Sequence, residues 1–281
     1  MAVDAAQVQY RDEFVAAFEQ RQSLLRESVT TETVIKGNQA VFLVAGSGSD
    51  TAVTRGANGF IPSRGDTETQ NTATLVEWHD LRRKTKFNIF ASQGNQRQIM
   101  QMNSMSVVNR KIDNLILTEL ATGTITTGAA ATASLNMVAK TVTKLGNAGI
   151  PWDSNIWAVI SPAFLGYLMQ IKEFASREYI GSPPTDGNDA AWRDRPRPFR
   201  WYDVNWIVHP GISGIGTASE SCFMYHKSAI GHAIDNEGME TPIGYNEEQA
   251  YSWARTSVAM GPKLLQNTGV IEMVHDGSAL A

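Results

Sequence analysis

The sequence is poor in residues that several classes of protein depend on. Its 281 residues include one cysteine, Cys222, which excludes an intrachain disulfide framework and favours synthesis in a reducing cytoplasm. No apolar run approaches the roughly 18 residues of a membrane span, and the start "MAVDAAQVQYRDEF" is not that of a signal peptide. The formal net charge of −4 argues against a chain built mainly to grip nucleic acid. These absences, with 42% apolar residues, predict a soluble intracellular product.

Catalytic and cofactor-binding motifs are also missing. The stretch "CFMYHKSAIGHA", residues 222–233, concentrates a cysteine, two histidines and a lysine. On a strand, however, Cys222 and His226 would lie about 13 Å apart, too far for a thiol and its base, and the spacing matches no usual metal site. The glycine-rich "GISGIG" and "AGSGSD" lack the features of phosphate and dinucleotide loops. We predict no catalytic residue, no cofactor and no metal ion, and interpret the cluster as a half-buried strand leading into a turn.

The remaining polar and aromatic candidates have ordinary structural interpretations. His209 and His275 fall at the ends of predicted strands, where a solvent-facing or capping histidine is expected. Trp201, Trp206 and Trp253 are expected to anchor the core or an interface.

The first part of the chain predicts a helical arm followed by a long hairpin. From about Ala5 to Ser28 the pattern is helical and amphipathic, with Phe14, Phe18 and Leu25 near one face. The hairpin is predicted to have the legs Gln39–Val44 and Thr74–Phe90. Residues 45–73 between them hold five glycines and almost nothing to build a core. Since such a hairpin is not stable alone, it must either stay disordered or lie on another protein.

The middle of the chain predicts one long helix, from Gln98 to Ala121, roughly 36 Å long. Its apolar residues recur at helical spacing, at Met102, Met105, Val108, Ile112, Leu115, Ile116 and Leu120. This face is expected to pack on C-terminal strands around Val258 and Val270. A second helix is predicted after the cap Ser134 and a third from Pro162, and most of the chain after residue 200 is predicted to be β. Because strands and helices do not alternate regularly, the fold class is α+β.

The order of arm, glycine-rich hairpin, long helix and mixed domain resembles the major capsid protein of tailed bacteriophages. The resemblance implies a phage major-capsid-type fold with an antiparallel sheet in a peripheral domain and a mixed α/β axial domain. It places an N-terminal arm at 1–35, an extended loop at 36–92, the peripheral domain at 93–129 and 241–281 with its spine helix at 96–122, and the axial domain at 130–240. The stretch "YHKSAIGHAIDNEG" would be the passage from a late axial strand into a short helix.

The resemblance implies a protein that self-assembles into the icosahedral shell around a phage genome. Its partners would be its own copies in hexamers and pentamers, a separate scaffolding protein, a portal, and packaged double-stranded DNA held without sequence-specific binding; no membrane is involved. The protein would be made in the host bacterial cytoplasm and end in the virion. Two alternatives remain, an encapsulin-like compartment shell and an enzyme with an unrecognised site under a glycine-rich lid.

The sequence departs from the covalently crosslinked members of this family. Those members need a lysine on the extended loop, and the tip between Ala45 and Thr74 has none. Its cations are arginines, which cannot supply the neutral amine of such a bond. About 35 residues precede the hairpin, so we expect no cleaved scaffolding segment of the kind that some members carry. We therefore expect non-covalent contacts between subunits, which we assign to Arg55, Arg64, Phe60, Phe14 and Phe18.

Overall fold

The computed structural model describes residues 20–34, 36–46, 51–63, 65–91, 95–175 and 199–280. The strands in these residues are β1 (Thr30–Val34), β2 (Gln39–Gly46), β3 (Thr67–Thr74), β4 (Val76–Thr85), β5 (Ile156–Ile160), β6 (Phe199–Trp201), β7 (Val204–Val208), β8 (Glu220–His226), β9 (Ile230–Asp235), β10 (Ile243–Asn246), β11 (Tyr251–Leu264) and β12 (Val270–His275). The α-helices are α1 (Lys86–Ala91), α2 (Gln96–Leu120), α3 (Leu135–Asn147), α4 (Pro162–Leu168) and α5 (Lys172–Ala175).

Two five-stranded sheets and one hairpin organise these elements. The first, which we call the peripheral sheet, has the order β1-β9-β11-β10, and β4 pairs with β11 as well. The second, the axial sheet, has the order β12-β8-β5-β7-β6. The hairpin consists of β2 and β3. Since the strands neither alternate regularly with helices nor form one parallel sheet, the predicted α+β class is confirmed.

The long helix α2 spans the predicted position almost residue for residue. Asn95 caps its start by accepting a hydrogen bond from the Gln98 amide. Val108 and Ile112 are buried in one core with Val258 and Val270, and Leu115 packs partly buried against it, as the spacing predicts. Met105 is the exception, because its side chain is 38% exposed and lies off the buried face.

The arm residues that the structure describes do not continue the predicted helix. Between residues 20 and 28 there is no α-helix, only one 3-10 turn at Arg26–Ser28. The amides of Leu24 and Leu25 donate to the side chain of Asp113 instead of to a preceding carbonyl. A helix through Ser28 is therefore wrong for this segment, because a long-range carboxylate takes the hydrogen bonds that a helix needs.

The second leg of the hairpin also differs from the prediction. The partner of β2 is β3, in a register that opposes Gln39 to Thr74 and Gly46 to Thr67. The strand predicted as the leg is β4, which pairs with Tyr251–Met260 of β11. The chain between the two strands therefore turns at Leu75 from the hairpin into the peripheral sheet. A polar strand such as "TETQNTAT" carries little apolar alternation, so its pairing is not visible in the sequence.

The C-terminal strands are divided between the two sheets. β11 lies in the peripheral sheet as expected, but β12 pairs antiparallel with β8 in the axial sheet. After β8 the chain makes a 3-10 turn at Lys227–Ala229 and enters β9, which pairs with β11. The short helix predicted at this passage is thus a single turn. The peripheral sheet therefore combines β1 and β4 from the first half of the chain with β9, β10 and β11 from the second half, whereas the axial sheet takes all its strands from residues 156–275.

Helix α1 contacts β4 of the peripheral sheet, whereas α3 packs against β12 of the axial sheet. Ser134 caps α3 by accepting from the Met137 amide, as predicted. The helix predicted from Pro162 is interrupted. After α4 the amides of Gln170 and Ile171 donate to the carbonyls of Tyr167 and Leu168, three residues back, which is the hydrogen bonding of a 3-10 turn. Helix α5 begins after this turn.

Candidate assembly surface

The root of the hairpin is anchored on the peripheral sheet. Ala40, Phe42 and Ala73 point inward and form a small core with Ala233 of β9. A Cβ at Gly231 would lie only 2.8 Å from the Phe42 ring, so the ring packs directly on the glycine backbone. This contact requires glycine at that position, and it sets the direction in which the hairpin leaves the subunit.

The outer face of strand β2 carries two large apolar side chains that are uncovered. Side chains alternate along β2, so Val41 and Leu43 point away from the sheet. They are 55% and 57% exposed. An exposed pair of large aliphatic side chains on an ordered strand is an unfavourable surface for a free subunit and a suitable one for a contact.

The tip of the hairpin is exposed at each of the residues 51–63 and is held by a local turn. The Gly56 amide donates to the Phe60 carbonyl, and the Gly59 amide donates to the Gly56 carbonyl. Arg55 Nη1 donates to the Gly59 carbonyl at 3.0 Å, so this arginine braces its own loop. The turn presents Phe60 and Ile61, 78% and 65% exposed.

Three of the five predicted contact residues lie outside the described residues, namely Phe14, Phe18 and Arg64. The structure brings the other two together, because Arg55 and Phe60 share the tip turn. The outward pair Val41 and Leu43 was missed by the sequence analysis. The sequence shows that Val41 and Leu43 alternate with Phe42, so they must lie on the opposite face of β2. It does not show which of the two faces the subunit covers.

The strand that carries Cys222 has no features of a reactive site. Cys222 is fully buried, and burial raises the pKa of its thiol to about 12. Both faces of β8 are covered, so the predicted half-buried strand is wrong in this respect. His226 instead holds a loop: its Nε2 lies 3.0 Å from Asp153 Oδ1, and its Nδ1 accepts from the Ser228 amide. No group of three metal-ligating side chains occurs in the part of the chain that the structure describes.

The two strand-end histidines are buried, not solvent-facing. His275 packs edge-on against Phe164 and Tyr167 and shares a fully buried site with Glu220. His275 Nε2 lies 3.8 Å from Glu220 Oε2, and burial lowers the pKa of this histidine. The sequence interpretation failed because the carboxylate that faces the ring is 55 positions away. Of the tryptophans, Trp201 and Trp206 are in the core as predicted, whereas Trp253 is half-buried.

One buried carboxylate joins the arm, the spine helix and the axial sheet. Asp113 of α2 accepts from the amides of Leu24 and Leu25 and from Ser23 Oγ and Gln20 Nε2. It also faces His209 Nε2 at 3.1 Å. Burial alone would raise the pKa of Asp113, but the hydrogen bonds from His209, Leu24 and Ser23 outweigh it and lower the pKa.

The ring of His209 is oriented by a second bond. Its Nδ1 accepts from the Gly211 amide at 2.9 Å, so the proton lies on Nε2 and points at Asp113. A buried charge needs such complete pairing to be tolerated. Asp113 therefore fixes where the arm meets the spine helix, at residues 20–25.

No helix among the described residues is long and apolar enough to cross a membrane.

No curated protein matches the chain. Several solved structures share its fold at low sequence identity. The capsid of Cyanophage P-SCSP1u matches with a TM-score of 0.70 at 11% identity, covering 97% of this chain and 93% of that one. A structure of Mycobacterium phage Che8 matches with a TM-score of 0.70 at 14% identity, covering 97% and 98%. The capsid of Ralstonia phage GP4 matches with a TM-score of 0.69 at 10% identity, covering 97% and 96%.

The family comparison covers more than the fold. A family model described as phage capsid protein matches residues 2–276, nearly the whole chain. The α+β architecture with its hairpin and long helix agrees with that match, and so do the exposed apolar side chains of β2 and of the hairpin tip. The chain therefore belongs to the phage capsid protein family, as a major capsid protein that assembles with its own copies into the shell of a virion.

Proposed function

We propose that the shell is built from hexamers and pentamers in which the hairpin of each subunit lies on a neighbouring subunit. The observation that carries this proposal is the exposure of Phe60 and Ile61 at the tip, with Val41 and Leu43 along the outer face. Full burial of one such side chain contributes about 1.5–3 kcal/mol. Four of them in each subunit form the largest gain that the hairpin offers to an assembly.

The contacts are non-covalent and the protein has no catalytic role in this proposal. The tip between residues 45 and 74 contains no lysine, so an amide crosslink from that loop has no amine. Arg55 braces the tip through one bond, and a guanidinium has further donors in a planar fork that suits a neighbour's carboxylate. Arg64, predicted from the sequence, is proposed for the same role. An exposed ion pair contributes only about 0.2–1 kcal/mol. In this proposal the apolar contacts therefore supply most of the stability of the interface, and the ion pairs add to it.

The proposal also includes the partners that the resemblance to tailed-phage capsid proteins implies. A separate scaffolding protein, a portal and double-stranded DNA packaged without sequence-specific binding complete the particle, and synthesis takes place in the host bacterial cytoplasm. The proposed division is an arm at 1–35, an extended loop at 36–92, a peripheral domain at 93–129 and 241–281, and an axial domain at 130–240. The sheets modify this division, since β9 pairs within the peripheral sheet and β12 within the axial sheet.

The test is assembly of tip variants. Phe60→Ala and Ile61→Ala should each reduce the yield of closed particles, because each removes apolar area buried only in the shell. Arg55→Ala should give particles that dissociate earlier in mild denaturant, with a smaller difference at high salt. Thr54→Ala, an exposed polar position on the same tip, is the matched control. Particles are counted by electron microscopy, and subunit folding is checked by circular dichroism.

A double variant decides the outcome. If Phe60→Ala with Ile61→Ala assembles and resists denaturant like the control, the tip makes no contact that matters and the proposal is wrong. Particles that contain a protein cargo instead of a genome would point to a compartment shell.

A further inference from the structure

Asn58 and Gly59 form the one Asn-Gly pair of the sequence, and they lie in the exposed turn at the hairpin tip. Asparagine is among the thermally labile residues. The main-chain nitrogen that follows it can attack its side-chain carbonyl carbon and close a five-membered ring. Glycine presents this nitrogen without a side chain, and nothing lies within 4 Å of the position that a Cβ of Gly59 would take. The pair therefore has the chemistry of a deamidation site.

The turn itself requires the glycine of this pair. The Gly59 amide donates to the Gly56 carbonyl at 2.9 Å, and the Gly56 amide donates to the Phe60 carbonyl at 3.0 Å. Asn58 is thus the second central residue of the turn, and Gly59 follows it with a φ of +74°. This left-handed conformation suits glycine and is strained for other residues. The residue that closes the turn is also the one that leaves Asn58 open to attack.

The same turn restrains the reaction. The Gly59 nitrogen must lose its proton before it attacks, and in the closed turn the Gly56 carbonyl holds that proton. Arg55 Nη1 adds a second bond, to the Gly59 carbonyl at 3.0 Å. Residues 51–63 are exposed and belong to neither core cluster of the described residues, so the turn can open locally. The rate of the reaction should therefore follow how often the turn is open.

We propose that the hairpin tip modifies itself at Asn58. The Gly59 nitrogen bonds to Asn58 Cγ, the Cγ–Nδ2 bond breaks, and ammonia leaves with the proton from Gly59. Water then opens the resulting succinimide ring at either carbonyl. Opening at the side-chain carbonyl gives aspartate, and opening at the main-chain carbonyl gives isoaspartate. Both products carry a new carboxylate, and no electron transfer is involved.

The modification changes the tip in two ways. Both products replace a neutral amide by a negative charge, and isoaspartate also adds one carbon to the main chain inside the turn. Neither change suits the closed turn that presents Phe60 and Ile61. Subunits that stay unassembled should thus lose their competence to assemble as they age. This consequence rests on the proposed hairpin contacts, whereas the modification itself does not.

Ageing of the dissociated subunit tests the site. The parent, Arg55→Ala, Thr54→Ala and Gly59→Ala are incubated at neutral and at mildly alkaline pH and then digested with chymotrypsin. The peptide of residues 44–60 contains Asn58 as its single side-chain amide, so mass spectrometry gives the modified fraction directly. An isoaspartyl methyltransferase labels the isoaspartate product. The parent should become modified with first-order kinetics, faster at the higher pH, because the reacting nitrogen must be deprotonated.

The variants separate the role of the turn from that of the pair. Arg55→Ala should react about two- to fivefold faster, as expected for the loss of one exposed hydrogen bond, and the matched control Thr54→Ala should react like the parent. Gly59→Ala should react several-fold more slowly although it strains the turn, because its methyl group hinders the attacking nitrogen. A parent peptide that stays unmodified would overturn the proposal. Equal rates for the parent and Gly59→Ala would overturn it as well, because the Gly59 nitrogen would then not be the nucleophile.

Assembly of aged subunits tests the consequence. Parent subunits should lose particle yield in proportion to their modified fraction. Asn58→Gln subunits, whose longer side chain would have to close a larger ring, should keep the yield that they have before ageing. If modified and unmodified subunits enter particles equally, the effect on assembly is wrong, and so is the role of the tip in the proposed contacts. The modification at Asn58 would stand in that case, since the peptide analysis measures it independently.

Discussion

Lowering the pH from 7.5 to 4.5 should destabilise the folded subunit through His232, a histidine on β9 whose side chain is fully buried. Neither ring nitrogen has a hydrogen-bond partner within the described part of the chain. Burial, with a smaller effect of the charge on Arg26, lowers the pKa of His232 from 6.5 to about 4. Between these two values the unfolded chain binds a proton that the folded subunit does not bind.

The sign and the size follow from this difference. Stability rises with pH wherever the unfolded state holds the extra proton, so His232 reduces stability as the pH falls from about 6.5 to about 4. With about 1.4 kcal/mol for each pKa unit, the free energy of unfolding should fall by roughly 2–3 kcal/mol between pH 7.5 and 4.5. The lowered pKa values of Asp113 and Asp153 act at more acidic pH, below their ordinary value of 3.8.

The assay is urea unfolding of the dissociated subunit at both pH values, with the parent, His232→Leu and His79→Gln. His232→Leu should remove most of this difference, roughly 2–3 kcal/mol, and His79→Gln, at an exposed histidine, is the control for loss of an imidazole outside the core. His275, whose pKa burial also lowers, contributes equally to all three proteins and cancels. If the parent and His232→Leu lose the same stability on acidification, His232 is protonated in the folded subunit and the reasoning is wrong.

Two packing predictions concern the core and the hairpin root. Ile112→Ala, at a fully buried position of α2, should lower the free energy of unfolding by about 2–5 kcal/mol through a cavity, whereas Met105→Ala on the exposed side should cost much less; equal losses in urea unfolding would mean that the wrong face is buried. Gly231→Ala should push its methyl group into the Phe42 ring and cost about 1–3 kcal/mol, whereas Gly146→Ala, with open space around it, should not destabilise.

Local patterns in the sequence were sufficient to predict the positions of α2 and α3. The spacing of apolar residues placed α2 within two residues at each end, and Ser134 marked the start of α3, because a cap and an apolar stripe are properties of neighbouring residues. The same approach failed for residues 20–28. Their amphipathic spacing is helical, but Asp113 binds two of their amides from a position about 90 residues away.

The pairings between strands that are distant in the chain were the features that the sequence analysis predicted least well. The polar strand β3 gave no alternation to follow, and β12 was placed in the wrong sheet because its apolar run suits either sheet. The buried site at Asp113 could have been suspected, since this acid lies three, four and seven positions before Ile116, Leu117 and Leu120 and so shares an apolar helix face with them. Its partners Ser23 and His209 could not, because nothing local brings them together.

The buried spine helix stabilises the single subunit, whereas the exposed hairpin is expected to stabilise only the assembled shell. Ile112 lies in a core that one subunit completes by itself, so its contribution is present before assembly. Phe60 is 78% exposed and belongs to no core among the described residues, so its contribution is expected to arise between subunits. The unfolding midpoint of the dissociated subunit should therefore respond to Ile112→Ala and not to Phe60→Ala, while the yield of particles should respond to both. A lowered subunit midpoint for Phe60→Ala would mean that the tip folds back on its own subunit, and the hairpin would then not be the part reserved for the shell.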